Sequence, residues 1–240
     1  MGQGHGWEGA VLKLLRAKDF TFTVTDAEDV TPHYRRVHLT DGGMLAATGV
    51  HPTMWVRLWF DDAGRPHQRA YTLVDPDPAA GTFGLEFALH DGVASDWARA
   101  AKPGDTVEAT VHGTGFERPA PGPSHLFAIA DPASLPALNS LLDALDPVPA
   151  TIWFEGDGDD LPFRTDPTRH DTRHVLRLDS GAHLVSRIRA DLPGLLTATP
   201  DPYLWIACDT TTTRTLSSYV RRELGVPKQR VHALGYWRAG

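Results

Sequence analysis

The hydrophobic rhythm of this chain changes once, at a stretch rich in proline. Glu117-Arg118-Pro119-Ala120-Pro121-Gly122-Pro123-Ser124 holds three prolines and a glycine, the composition of a stiff linker. Before it, apolar residues recur at every second position, as in Val37 and Leu39, Val56 and Leu58, and Phe83, Leu85, Phe87 and Leu89. That period belongs to strands with one buried face. Strands are expected over 20–25, 34–40, 54–60, 70–74, 83–89 and 106–111, with Pro76 and Pro78 ending the fourth. Short helices are expected at 11–18 and 94–101. After the linker, strands at 126–130, 150–154, 174–178, 203–207 and 231–236 alternate with helices at 135–145, 182–192 and 210–224. Many short strands separated by turn residues imply an antiparallel barrel or sandwich. The strand–helix alternation implies a parallel sheet covered by helices. Two domains are therefore expected, 1–118 and 119–240.

Composition narrows the function classes. The formal net charge is -7, and no basic stripe is visible, so a nucleic-acid partner is not expected. Arg35-Arg36 and Arg221-Arg222 read as solvated faces. The single cysteine, Cys208, permits no intramolecular disulfide and no paired-cysteine zinc site, which fits a reducing cytoplasm. No apolar run approaches about 18 residues, so membrane insertion is not expected. The first residues lack a basic segment followed by an apolar one, so no secretory signal is expected. A cytoplasmic monomer is the working expectation. His170 and His174 have the spacing of a helical metal pair, but Pro167 and the residues between them suggest a loop without a third ligand. No metal site is expected. The acidic run Gly156–Asp160 reads as a loop, Cys208 as a small buried residue, and Trp55 and Trp59 as barrel packing.

Three clusters carry chemistry. The first is Arg69-Ala70-Tyr71-Thr72. Residues two apart on a strand share a face, so Tyr71 can stack on a flavin ring while Arg69 meets a pyrophosphate; read alone, the tetrapeptide equally suits a core tyrosine beside a surface arginine. The Thr72 hydroxyl or amide can bond the ring edge. The second is His90-Asp91-Gly92-Val93-Ala94-Ser95-Asp96-Trp97, which follows a strand and opens a helix. Helix N-terminal amides favour a phosphate, and Gly92, Ala94 and Ser95 let a ligand approach the backbone. Trp97 reads as core. The third is the end of the chain, with Asp209 after one strand and Asp131 after another, each at the strand end where α/β sheets bind ligands or at a helix cap.

In this order, R-x-Y-T, then F-x-L-H with G-x-A-S-x-W-A, then P-G-D, then L-G-V-P and G-Y-W-R-x-G, the chain resembles the siderophore-interacting protein family of FAD-dependent ferric-siderophore reductases. Val30-Thr-Pro-His-Tyr-Arg-Arg-Val37 is similar to an early segment of that family. The resemblance implies a β-barrel flavin domain and an α/β nicotinamide-type domain. It implies FAD as cofactor, NADH, NADPH or a ferredoxin as electron donor, and a ferric siderophore or other small molecule as substrate. Arg69, Tyr71 and Thr72 would hold the flavin ring and phosphates. His90, Gly92, Ala94 and Ser95 would line the ribityl-pyrophosphate region. Asp131 and Asp209 would border the nucleotide, and Tyr236 and Trp237 would lie where electrons are exchanged. Electron transfer to iron needs no general base, and no catalytic residue is nominated.

Three segments depart from the family's usual pattern: Val111-His-Gly-Thr-Gly-Phe116, Ala130-Asp-Pro-Ala-Ser-Leu-Pro-Ala137 and Ala207-Cys-Asp209. All fall on or near the electron-entry side, while R-x-Y-T is intact. The alternative function is therefore a flavin-binding protein whose nicotinamide site has eroded and serves a natural product instead. Glu155 ends a strand, as a ribose-binding acid would, and Arg164 is the nearest candidate for a 2′-phosphate. NADH is expected over NADPH.

Overall fold

The computed structural model describes residues 18–111, 115–156 and 160–238. The helix expected at 11–18 falls outside them, apart from Lys18, which begins a strand. Two compact units are present, Met1–Phe116 and Glu117–Gly240.

The first unit is a closed six-stranded antiparallel barrel. Its strands are β1 (Lys18–Thr31), β2 (Tyr34–Thr40), β3 (Trp55–Asp62), β4 (Arg65–Asp77), β5 (Thr82–Ala88) and β6 (Thr106–Val111), paired in the order β1-β2-β5-β4-β3-β6. β1 closes the barrel by pairing β6 through Lys18–Thr23 and β2 through Thr23–Thr31. Phe22, Val37, Leu39, Val56, Leu58, Leu85 and Phe87 fill the interior, the alternate positions the pattern marks. Two short helices, α1 (Met44–Thr48) and α2 (Val93–Ala100), complete the unit.

Two strands run further than their sequence suggests. β4 passes through Pro76 because its pairing with β5 is irregular between Val74 and Asp77. A bulge needs no N–H from proline. β1 continues through Asp26, Glu28 and Asp29, with Glu28 opposite Arg36 and Asp29 opposite Arg35. Arg35 and Arg36 are thus not simply solvated. Arg35 bonds Asp29 at 2.5 Å, and Arg36 bonds Glu86 at 2.5 Å, a buried carboxylate that also accepts from the Tyr34 hydroxyl at 2.9 Å.

The second unit is a parallel five-stranded sheet in the order β11-β10-β7-β8-β9. The strands are β7 (His125–Ala130), β8 (Ala150–Glu155), β9 (His170–Val175), β10 (Pro202–Ala207) and β11 (Val231–Ala233). The antiparallel barrel followed by a helix-covered parallel sheet is the expected fold class. Helix α3 (Leu135–Leu145) joins β7 to β8, and α4 (Ala182–Thr197) joins β9 to β10 in the opposite direction. Right-handed crossovers therefore place them on opposite faces. Helix α5 (Thr210–Arg222) packs Leu216, Tyr219 and Val220 beside Leu184, Ile188 and Leu192 of α4.

The helix expected at 182–192 continues past Pro193 to Thr197. Proline cannot donate to the carbonyl four residues back, that of Arg189. The Tyr219 hydroxyl reaches that carbonyl instead, at 3.5 Å. The strand expected at 174–178 is β9, four residues earlier. His170 and His174 consequently lie on a strand rather than in a loop. Four residues of strand separate them by about 13 Å, too far for one metal. The reversal of winding lies between β7 and β10, and their carboxyl ends form the crevice where sheets of this type place ligands.

Candidate functional site

The barrel carries the first cluster on β4. Thr72 is buried, Tyr71 half-buried and Arg69 exposed. The Tyr71 ring lies 4.3 Å from that of Phe87 on β5, tilted by 39°. Phe87 in turn lies 5.8 Å from Trp97 of α2, and Trp97 lies 5.7 Å from Phe60. This aromatic chain fixes α2 to the barrel and Tyr71 to both. Burial pushes the Tyr71 phenol far above its usual range, with the charge of Arg69 pulling it back. Arg69 therefore acts on Tyr71, as the shared strand face requires. Its guanidinium bonds only the Gln68 carbonyl, at 2.8 Å, and has no carboxylate partner among the described residues.

The second cluster opens α2. Gly92 precedes it at φ 145°, and no side chain caps the helix. The amides of the first turn are thus left for a ligand. The Ser95 hydroxyl accepts the His90 amide at 3.1 Å, and the His90 ring bonds the Asp91 carbonyl oxygen at 2.7 Å. The loop before the helix is therefore held from within. A Cβ at residue 92 would meet the His90 ring at 3.6 Å, so the positive φ rather than space demands glycine there. These residues fit FAD: an arginine without a carboxylate, uncapped helix amides, a held aromatic ring and an adjacent hydroxyl.

In the second unit the strand ends meet in a charged network. Asp131 follows β7, Glu155 ends β8 and Asp209 follows β10; they are 3%, 2% and 1% exposed. Arg177, two residues past β9, pairs with Glu155 and lies 3.4 Å from Asp209. Its guanidinium also sits 4.8 Å above the Trp237 ring. The Trp237 indole N–H donates to Asp131 Oδ2 at 2.7 Å. The terminal segment is tied alongside β10 by Tyr236 N–H to the Cys208 carbonyl, 2.9 Å, and Thr210 N–H to the Trp237 carbonyl, 2.8 Å. It leaves the regular ladder after Ala233, short of the expected strand end at 236.

Burial raises the Asp131 carboxyl to about 6, against the bonds from Trp237 and Ser134, with Glu155 adding to the rise. Burial likewise raises Glu155, opposed by Arg177. Burial also acts to raise Asp209, but its bonds from Thr212 and Thr211, with Arg177, outweigh it and leave that group below its usual value. The buried Cys208 thiol is pushed well up, first by burial and then by the three carboxylates.

Asp209 caps α5 by accepting the Thr211 and Thr212 amides, and Asp131 accepts the Ser134 amide just before α3. A carboxylate thus stands at each helix start facing the crevice. A nucleotide pyrophosphate would meet like charge at both, so neither helix start takes a pyrophosphate. Arg177 holds Glu155 through Oε2, while Glu155 Oε1 is buried with no hydrogen-bond partner among the described residues. Arg164 does not adjoin Glu155: it pairs with Asp143 at 2.9 Å and donates its amide to Asn139. Arg177 is the residue that sequence reading missed, because the misplaced strand put it inside β9. A basic residue just past a parallel strand was the available signal.

The profile described as siderophore-interacting protein matches residues 123–240, and that of the siderophore-interacting FAD-binding domain matches residues 47–111. The chain belongs to the siderophore-interacting protein family. It is 31% identical over 98% of its length to the mycobactin import ATP-binding/permease protein IrtA of Mycobacterium tuberculosis, covering 28% of that protein. The chain thus spans about a quarter of these curated relatives. It is 23% identical to the ferric acinetobactin reductase of Acinetobacter baumannii, over 79% of this chain and 68% of that one. The siderophore-interacting protein of A. baumannii shares the fold with TM-score 0.79 at 19% identity, over 93% of this chain and 91% of that one. The ferredoxin-NADP+ reductase of Plasmodium falciparum does so with TM-score 0.70 at 13% identity, over 91% and 97%. The fold is therefore ferredoxin-reductase-like. No helix among the described residues is long and apolar enough to cross a membrane.

Proposed function

We propose that this family member is an FAD-dependent oxidoreductase that passes electrons from a nicotinamide nucleotide or a ferredoxin through flavin to Fe(III) in a siderophore, releasing Fe(II). The barrel site carries the reading. Arg69 free of carboxylates, Tyr71 braced by Phe87 and the uncapped start of α2 lie together within the stretch that matches an FAD-binding family. Arg69 and the Val93 and Ala94 amides would hold the pyrophosphate. Tyr71 would present its face to the ring, and the Thr72 hydroxyl would bond a polar ring atom. His90 and Ser95 keep the loop at Gly92 in the shape that leaves those amides free. The chemistry that FAD supplies is the conversion of a two-electron hydride into single electrons, two ferric ions being reduced per hydride. Ferrous iron binds hard oxygen ligands less tightly than ferric iron, so reduction favours release.

The test is anaerobic. The protein is reconstituted with FAD and titrated with NADH and with NADPH while the flavin band near about 450 nm is followed. A ferric chelate is then added with a ferrous-specific dye. Bleaching by a nucleotide, then dye colour with return of the band, is the expected result. Failure to bind FAD after reconstitution overturns the proposal.

A second reading rests on the carboxylates at both crevice helices. It keeps the flavin but drops the nicotinamide nucleotide, leaving a pocket for binding or converting a small natural product. A flavin band untouched by both nucleotides and by a reduced ferredoxin favours it.

A further inference from the structure

A second feature of the α/β unit begins beside the β7–β10 crevice, at Thr210 and Trp237, and runs away from it along α5. A groove of about 920 Å³ runs along α5, with the segment Ala233–Arg238 as its opposite wall and Gly225–Lys228 at its far end. Five cations line it: Arg214, Arg221 and Arg222 on the helix, Lys228 at one end and Arg238 at the other. No acidic residue is among the described residues that line it. The hydroxyls of Thr210, Thr213 and Ser217 follow one another along the helix wall, and Leu234 and Tyr236 form an apolar strip opposite.

The cations stand out against the rest of the unit. Of the unit's eight other arginines, seven, from Arg164 with Asp143 to Arg230 with Asp201, each lie within 4.0 Å of a carboxylate, Arg118 being the exception. Arg214, Arg221, Arg222, Lys228 and Arg238 have no such partner among the described residues. In a chain of net charge -7, five unpaired cations around one concavity create a local field opposite to the whole. The helix dipole accounts for a basic last turn at Arg221 and Arg222. It does not account for Arg214 in the second turn, or for Lys228 and Arg238 on other segments. The groove is the size of a small-molecule site rather than of a protein interface. Arg214 and Arg221 are two helical turns apart on the same face, so their backbones are separated by about 10 Å.

We infer that this groove binds a small organic polyanion with at least two anionic oxygen groups, which the long side chains of Arg214 and Arg221 reach from backbones about 10 Å apart. The arginine forks take the anionic groups, the hydroxyls bond the oxygens between them, and the apolar strip takes the body of the molecule. A phosphorylated metabolite and an anionic iron chelate share this chemistry. The inference does not depend on flavin binding.

Calorimetry on the full chain at low salt tests it, with inorganic phosphate, ATP, ferric tris(catecholate), a neutral ferric hydroxamate and heparin as probes. ATP or the ferric catecholate should bind at least about tenfold more tightly than phosphate or the neutral chelate, since each charge-assisted bond is worth that much. The affinity should fall steeply with salt. The tighter of the two polyanions identifies the source. Arg214→Glu with Arg221→Glu should weaken binding by about tenfold or more, and Arg65→Glu on the barrel should not. Both helix positions are exposed. Should the charge reversals unfold the unit, Arg214→Gln and Lys228→Gln replace them. Equal binding of phosphate and polyanions, binding of heparin alone, or variants that bind like the wild type would overturn the assignment.

Discussion

Trp237 donates its indole N–H to Asp131 across 106 positions of sequence, at 2.7 Å. The bond joins the end of β7 to the last described segment and closes the strand-end crevice with an aromatic ring. Arg177 lies over the same ring and pairs with Glu155 and Asp209. One indole and one guanidinium thus organise three buried carboxylates.

That arrangement makes stability depend on pH through Asp131. Its folded value of about 6 lies above the ordinary 3.8, so the folded chain holds the extra proton between those values. Its contribution to stability is fully present below about pH 4 and is lost as pH rises through 6. The loss amounts to roughly 3 kcal/mol. Asp131→Asn removes the titration. The wild type should lose more Tm than the variant between pH 4.5 and 7.5, and parallel Tm profiles for the two proteins would refute the account.

Arg177 should matter most above that range. Arg177→Ala leaves Glu155 and Asp209 buried without a counter-charge. Losing one partner of a buried pair costs about 3 kcal/mol or more, and the partial exposure of Arg177 argues for the lower end. Without Arg177 both carboxyl values rise, so the deficit should be largest at neutral pH and shrink towards pH 5. Adding Glu155→Gln should return part of it. Denaturant unfolding at the two pH values measures both effects, and a deficit independent of pH would count against the pairing.

For the barrel, Arg69→Gln should weaken FAD binding by about tenfold to a hundredfold, the worth of a charged hydrogen bond to phosphate. Tyr71→Ala should weaken it as well and expose Phe87. Flavin fluorescence on dilution of the reconstituted protein reads both. Affinity unchanged in both variants would remove Arg69 and Tyr71 from the site.

How much of this was legible depended on how local the signal is. Leu85 and Phe87 alternate because β5 has one face in the core, and R-x-Y-T is read within four residues. The far half of β1 is acidic, and only the cross-strand arginines explain Asp29 and Glu28 as strand residues. β9 is an edge strand with one neighbour, and its polar sequence carries no apolar period. That displaced the strand by four residues and hid Arg177. The crevice network joins five segments far apart in sequence, at Asp131, Glu155, Arg177, Asp209 and Trp237, and none of them alone signals the others.

Gly181 holds this network from the other side. It opens α4 at φ 93°, and a Cβ there would lie 2.4 Å from Thr212 Oγ1 and 3.6 Å from both Asp209 Oδ2 and Glu155 Oε1. Gly181→Ala therefore meets two obstacles, a backbone angle that side chains disfavour and a clash. The angle alone costs about 1–3 kcal/mol. Thr212→Ala in the same chain removes the atom that clashes but not the strained angle. The single Gly181→Ala variant should lose Tm clearly, and the double variant should regain part of it but not all. Thr212→Ala alone removes the hydroxyl's bond to Asp209 but keeps the backbone amide's bond to Asp209 Oδ1, so it should cost less than Gly181→Ala. Full recovery in the double variant would show that the angle is harmless, and no recovery would show that Thr212 is not what the new methyl meets.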